Sequence, residues 1–391
     1  MRAVRTWLEG RAARRKTAAR TRVFGYNPAR FDVKGAPARP GSEQEMAPNR
    51  TRRARTKTGA VTLKAVAEHV GLTPGTVSAV LNNAPSARSI PQRTQQRILA
   101  AARELNYRPN FFAQSLRKKR TYMIGVIAEE IGDAYGSMVI SGIEQCLRQR
   151  NYFFLTVIHR HDPVLLSQYS QLLTERGVEG MITVDTQLTE APALPTVAVP
   201  GHVLLRGVTN IVLDHERAAR QALEHLRDLG HENIAFMKGQ PESADSEVRW
   251  SAICRVAREL KIEIQPELTI QIDIDEATPQ LGYPFAKRLL ERKVSFTALF
   301  AFNDLAAIGA IRAFQEEGIR VPGDVSVVGF DDIQGAAYNS PSLTTVRQPL
   351  ERMGSIAALT LVERIEGRKD YPAEIAIEPQ LVIRESTTRR C

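Results

Sequence analysis

Between Val61 and Tyr107 the apolar residues recur every three or four positions in three short runs. Leu63, Val66, Ala67 and Val70 share one helical face, with Thr62 placed to cap it. Gly71 breaks the run. Thr73 then offers a second cap and Pro74 falls at the first helical position, where its missing N–H costs nothing. Val77, Val80 and Leu81 line the second helix. A third is expected from about Gln92 to Asn106, with Ile98, Leu99, Ala102 and Leu105 facing inward. Three small helices with a glycine turn between the first two describe a helix-turn-helix unit, although an ordinary helical hairpin has the same pattern.

From Tyr122 the period changes. Buried-strand runs such as MIGVIA (123–128), YFFLTVI (152–158), GMITV (180–184), NIAFMKG, ELTIQIDI, TALFAF and DVSVVGF (324–330) alternate with amphipathic stretches. Those stretches fall near 139–151, 165–177, 215–230, 247–260, 282–292 and 304–317. Such alternation demands parallel sheets covered by helices on both faces. The run is longer than one sheet needs, so two doubly wound lobes with a cleft between them are expected.

Charge separates the front of the chain from its body. Residues 1–57 hold 16 Lys/Arg against 4 Asp/Glu, and residues 58–120 hold 10 against 2. The whole chain is +10, so the remaining residues carry −10. A basic front on an acidic body suits a partner that is a polyanion. Residues 1–60, rich in Arg, Ala and Pro, read as a disordered basic extension. Met46 stands just before the basic arm APNRTRRARTKTG, and translation is expected to begin there. MRAVRTWLEG has no hydrophobic signal core and no apolar run approaches the roughly 18 residues of a membrane span, so a cytoplasmic location is expected. Cys146, Cys254 and Cys391 are too scattered for a disulfide framework or a metal knuckle.

Several stretches are similar to the LacI/GalR family of bacterial transcription regulators. They are VTLKAVAEHVGLTPGTVSAVLNN, RTQQRILAAARELNYRPNFFAQSLRKK, MIGVI, LDHERAARQALEHLRDLGHENIAF, ALFAFNDLAAIGAI, RVPGDVSVVGFDD, SPSLTTVRQP and LVIREST. The resemblance runs in order over about residues 61–387. It implies a helix-turn-helix domain (61–108), a hinge helix and linker (109–121), and a two-lobed effector and dimerisation domain (122–391) similar to periplasmic sugar-binding proteins. The lobes are placed at about 122–213 with 345–370, and 214–344 with 371–387.

On this resemblance the second helix would enter the major groove with Pro74, Gly75 and Ala79 at the base-facing positions. None of these three has a side-chain hydrogen-bond group. Thr62, Thr73, Thr76 and Ser78 would position the helix on phosphates, and Asn82 and Asn83 are polar readers. Discrimination then shifts to the hinge. Leu116 would be a wedge in the minor groove, flanked by Asn110, Gln114, Arg117 and Lys118. Without the resemblance, Leu116 reads as core.

For the effector the resemblance implies Tyr135, Arg249, Asp304 and Gln348, with Asp304 also readable as a helix N-cap. Gly136, Ala252, Ile253 and the Asp133-Ala134 pair depart from the family pattern and thin the aromatic clamp. A sugar or sugar derivative is the leading ligand. His159, His161 and Asp162 follow a strand and suit a cleft wall better than a metal. No GxSxG, Walker or HExxH motif occurs, so neither catalysis nor a cofactor is expected. The reading is a repressor, homodimeric because RESTTRRC supplies no leucine heptad, on double-stranded operator DNA. A transporter's solute receptor and an α/β sugar-modifying enzyme are the alternatives.

Overall fold

In the computed structural model, residues 61–390 except Asp275 are described, and they form two units, one ending at Tyr107 and one beginning at Arg108. The expected extension at 1–60, the start at Met46 and Cys391 lie outside the described residues.

The first unit builds three helices as the periodicity requires. Helix α1 (Leu63–Val70) is capped by Thr62, whose hydroxyl oxygen accepts from the Ala65 N–H, and stops at Gly71 in the left-handed region (φ 66°). Helix α2 (Pro74–Leu81) starts from the Thr73 cap with proline in its first turn. Helix α3 spans Gln92–Glu104. Val66, Val77 and Ile98 are fully buried at their junction. Leu99, expected inward, is 39% exposed; Ala101 takes its place, because a helix this short buries only a narrow stripe.

The second unit opens with α4 (Phe111–Lys118), capped by Asn110 and ended by Lys119 at φ 53°. Two six-stranded sheets follow. The first has the order β11-β5-β4-β3-β1-β2 and is parallel throughout. Its strands are β1 (Met123–Ala128), β2 (Phe153–Ile158), β3 (Gly180–Val184), β4 (Thr196–Val199), β5 (Val208–Leu213) and β11 (Glu374–Ile377). Helices α5 (Ala134–Gln149), α6 (Pro163–Glu175) and α12 (Leu350–Ile365) cover it. Helix α5 begins five residues before the expected 139, because Asp133 accepts the Gly136 N–H and caps it early.

The second sheet has the order β12-β10-β9-β8-β6-β7. Its strands are β6 (Ile234–Lys238), β7 (Thr269–Gln271), β8 (Ala298–Phe300), β9 (Ser326–Asp331), β10 (Thr344–Arg347) and an antiparallel β12 (Gln380–Val382). Around it lie α7 (His215–Asp228), α8 (Ser246–Glu259), α9 (Tyr283–Glu291), α10 (Asp304–Glu316) and the short α11 (Gln334–Tyr338). The chain crosses between lobes three times. Strand β10 lies in the second lobe and β11 in the first, the reverse of the expected division at 345 and 371. The strand pairing moves both boundaries: β10 extends the second sheet beside β9, and β11 the first beside β5.

Helices α5 and α12 cross closely in the first lobe. A Cβ on Gly142 would overlap the Glu351 carbonyl oxygen, and one on Gly354 would overlap that of Val139. Backbone occupies the space, so no rotamer relieves the clash. Gly142→Ala is expected to cost about 3 kcal/mol, lowering the urea midpoint of the two-lobed unit, whereas Gly335→Ala, whose Cβ would meet only ordinary van der Waals contacts, costs far less.

Candidate functional site

Strands of parallel sheets aim their carboxyl ends at a common crevice. Here both sheets do so. Asp185 directly follows β3, Asp331 ends β9, and Asn303 follows β8 and caps α10 by accepting the Ala306 N–H at 2.9 Å. With Tyr135, Asp245, Arg249 and Phe302 they line a cavity of about 80 Å³ between the lobes. That is well under the roughly 300 Å³ at which drug-sized sites begin, so the lobes are nearly shut. Cross-lobe hydrogen bonds hold them: Ala244 N–H to Asp185 Oδ1 (3.1 Å), Gln187 Nε2 to the Glu242 carbonyl (3.2 Å), and His202 Nε2 with Asp245 Oδ1 (2.6 Å).

Arg249, 3% exposed, anchors the floor. Its Nη2 donates to Asp245 Oδ2 (2.8 Å) and its Nη1 to the Phe302 carbonyl (2.6 Å). Its guanidinium lies over the rings of Phe330 (3.8 Å) and Phe302 (4.5 Å). Burial would raise the Asp245 carboxyl, but His215, His202 and Arg249 around it hold it well below the ordinary range.

Asp331 is placed differently. Burial pushes its carboxyl up to about 7, against the pull of Arg249 and of Gln348 Nε2, which donates to it at 2.6 Å. Its backbone is at φ 108° and that of Asp332 at φ 58°, conformations costly for residues with a Cβ. Arg347 and Arg384 each donate to the Asp332 carboxylate at 2.6 Å and hold this turn. Asp185 is likewise pushed up to about 7, by burial and then by Asp245. Among the described residues, Tyr135 Oη, Arg249 Nε and Gln348 Oε1 are buried with no hydrogen-bond partner.

Of the four expected effector residues, Tyr135 and Arg249 line the cavity while Asp304 and Gln348 do not. Asp304 is fully buried, accepting from Thr345 Oγ1 (2.6 Å) and the Ile333 N–H (2.9 Å), and the cap is Asn303 instead. Burial, then Asp331, raises its carboxyl well above the usual range. Gln348 stands behind Asp331 and orients it. The residues missed were Asp185, Asp245, Asn303 and Asp331. Three of these share one signal, a polar residue at the carboxyl end of a buried apolar strand. Of His159, His161 and Asp162, expected in the cleft wall, His161 lines the interlobe cavity and pairs with Glu129 (2.6 Å), whereas His159 Nε2 pairs with Thr186 Oγ1 (3.0 Å) and Asp162 caps α6.

On the first unit, Thr73, Pro74 and Gly75 are exposed at the start of α2, with Thr76, Ser78 and Ala79 half-buried behind them. Thr73 and Thr76 share a hydroxyl hydrogen bond (2.9 Å), and the Asn82 side-chain amide donates to the Ser78 carbonyl (2.7 Å). Asn83 is exposed in the left-handed region. On α4, Leu116 is 83% exposed, Lys118 is exposed and Gln114 half-buried, whereas the Arg117 side chain lies outside the described residues. Just beyond α4, Glu179 accepts from Arg120 Nε (2.9 Å) and from the Thr121 (2.5 Å) and Tyr122 (3.0 Å) N–H groups, tying the linker to the first lobe.

A helix-turn-helix unit followed by two lobes closing on a polar cleft defines a ligand-responsive DNA-binding regulator. Residues 62–110 match the family "Bacterial regulatory proteins, lacI family", and 223–387 match the "Periplasmic binding protein-like domain". The HTH-type transcriptional repressor PurR of Haemophilus influenzae is 32% identical over 337 residues, covering 83% of this chain and 98% of that protein. PurR of Yersinia enterocolitica is 30% identical over 334 residues, covering 83% and 96%. The lac repressor dimer bound to operator and the anti-inducer ONPF superposes with a TM-score of 0.76 at 27% identity, covering 84% of this chain and all of that one. The transcriptional regulator CelR–cellobiose complex gives 0.61 at 26%, covering 83% and 99%. The chain belongs to the lacI family and is a DNA-binding transcriptional repressor with an effector domain. Such relatives imply a regulator rather than an enzyme, and no helix among the described residues is long and apolar enough to cross a membrane.

Because Asp331 keeps its proton in the folded chain up to about 7 but only to an ordinary 3.8 when unfolded, wild-type stability falls as pH rises across that window. The stability of Asp331→Asn relative to wild type is therefore expected to climb between pH 4 and 7 and level off above. Urea titrations at successive pH values read this, and a gap that stays flat from pH 4 to 7 would mean Arg249 keeps Asp331 charged throughout.

Proposed function

We propose that this repressor grips operator DNA as a homodimer and that a sugar or similarly polyhydroxylated molecule, seated between the lobes, controls that grip. The observation that carries the reading is the cleft itself: carboxylates from both lobes converge with one buried arginine and an aromatic pair, and hydrogen bonds across the lobes close it. Carboxylates and an arginine fork suit vicinal hydroxyls, and Tyr135 and Phe302 suit a ring face. CelR with cellobiose supports a sugar ligand for this chain by likeness.

At the DNA, Pro74, Gly75 and Ala79 meet base edges by shape alone, and Thr62, Thr73, Thr76 and Ser78 serve phosphates. Asn82, with its amide already bonded within α2, contributes less than the exposed Asn83. Leu116 is the wedge, and Asn110, Gln114, Arg117 and Lys118 flank it. A leucine left 83% exposed on a short helix is what a minor-groove wedge needs before DNA arrives.

Selection of sites from randomised duplex DNA with the full chain tests this. A palindromic consensus with a tightly constrained centre is the expected result, and enrichment of no sequence would refute sequence-specific repression. Leu116→Ala is expected to lower the preference for that consensus over random DNA by at least tenfold, while the slope of log K against log salt is unchanged. A preserved preference would remove Leu116 from the reading head. A panel of mono- and disaccharides then addresses the ligand: none shifting operator affinity would assign the cleft to another chemical class.

A further inference from the structure

The first lobe contains a second, larger cavity, of about 310 Å³, between α6, the carboxyl ends of β1 and β3, and the segment 185–196. Its origin is visible in the packing. Helix α6 buries only Leu173 fully, so the core beneath it is small, built on Ile127, Leu173, Val178 and Met181. The lining is mainly apolar, with Ile127, Leu166, Met181, Leu188 and Pro192 contributing.

One polar atom stands out there. Thr183 lines the cavity, is 1% exposed, and its Oγ1 has no hydrogen-bond partner. Side chains alternate along a strand, so Thr183 projects to the same face of β3 as Met181, toward α6. A buried hydroxyl without a partner costs about 1–3 kcal/mol, and a fold keeps such a group most readily where something else completes it. A purely apolar space of this kind would call for valine.

We propose that this cavity is a second small-molecule site, distinct from the interlobe cleft, for a neutral and mainly apolar ligand. The ligand carries one hydroxyl or carbonyl group, which pairs with Thr183 Oγ1. The volume falls in the range of ligand pockets, and the composition, apolar surface interrupted by polar side chains of which Thr183 is the deeply buried one without a partner, is theirs as well. Anionic ligands are disfavoured by Glu190 and, from the second lobe, Glu242, which also line the cavity. His161 and Asp185 belong to the walls of both cavities, and the 185–187 segment makes the cross-lobe bonds to Ala244 and Glu242. A ligand that presses on this segment therefore acts on lobe closure, so occupancy of one site changes affinity at the other.

The test uses 4-bromobenzyl alcohol with the full chain. Crystals soaked in it are expected to show bromine between α6 and β3, with the alcohol oxygen within hydrogen-bond reach of Thr183 Oγ1. In solution Ser170→Phe, which fills the cavity, should weaken binding at least tenfold, and Thr183→Val should weaken it several-fold. Thr183→Val should at the same time raise the melting temperature, since it removes an unpaired hydroxyl; a hydroxyl with a structural role alone would move the melting temperature without moving the affinity. Bromine in the interlobe cleft only, bromine nowhere, or equal affinity in both variants and wild type would overturn the proposal. Those outcomes are independent of operator selection, so the two readings stand or fall separately.

Discussion

Everything in the two-lobed unit turns on the Asp245 carboxylate. One oxygen takes Arg249, which is bonded to the Phe302 carbonyl and stacked on Phe330. The other takes His202 from the first lobe and lies 3.3 Å from His215 Nε2, at the lobe crossover. Removing a carboxylate and a guanidinium from water is expensive, and a buried pair of this kind rarely gains net stability over well-packed apolar side chains. What it gains is position. Arg249 is held in the cleft wall, and His202 can satisfy Asp245 only when the lobes are close.

Against that fixed charge the other cleft carboxylates are poised. Asp185 and Asp331 are desolvated without a cation of their own and so retain protons to about pH 7. A ligand hydroxyl that donates to either can take the proton's place at little cost, which makes effector affinity and protonation compete for the same oxygens. The strained turn at Asp331 and Asp332 belongs to this arrangement. Two arginines clamp Asp332 so that its neighbour can face the cleft in a conformation a free chain would avoid.

The sequence made the elements legible wherever burial is one-sided or complete. The caps at Thr62 and Thr73, the glycine stop at Gly71 and the apolar runs of β1, β3 and β9 follow from local chemistry and appear where expected. Leu99 went wrong because a stripe only one residue wide distinguishes it from Ala101. The lobe boundary went wrong because β10 and β11 are four residues each, and pairing across three crossovers is a long-range property that no local window carries. In the cleft, Asp304 and Asp331 look equivalent on the page. Only the strand register shows one carboxylate sealed under Thr345 and the other open to the cavity.

Strand β3 explains how a recognition helix with so few polar side chains can still belong to a controlled regulator. At its amino end, Glu179 gathers Arg120 and the N–H groups of Thr121 and Tyr122, the residues that follow the exposed Leu116 helix. At its carboxyl end, Asp185 accepts the Ala244 N–H across the cleft and borders both cavities. Between them lie five buried residues, about 17 Å of central parallel sheet paired on both sides. Such a segment moves as a body or not at all, because its ladders and packing admit no local stretch. If the cross-lobe bond to Asp185 is made in one state and broken in the other, the difference reaches the linker as a displacement of Glu179, without any change at Pro74 or Gly75. On the proposed reading, in which the hinge discriminates and α2 reads shape, specificity and control would sit at two ends of one strand.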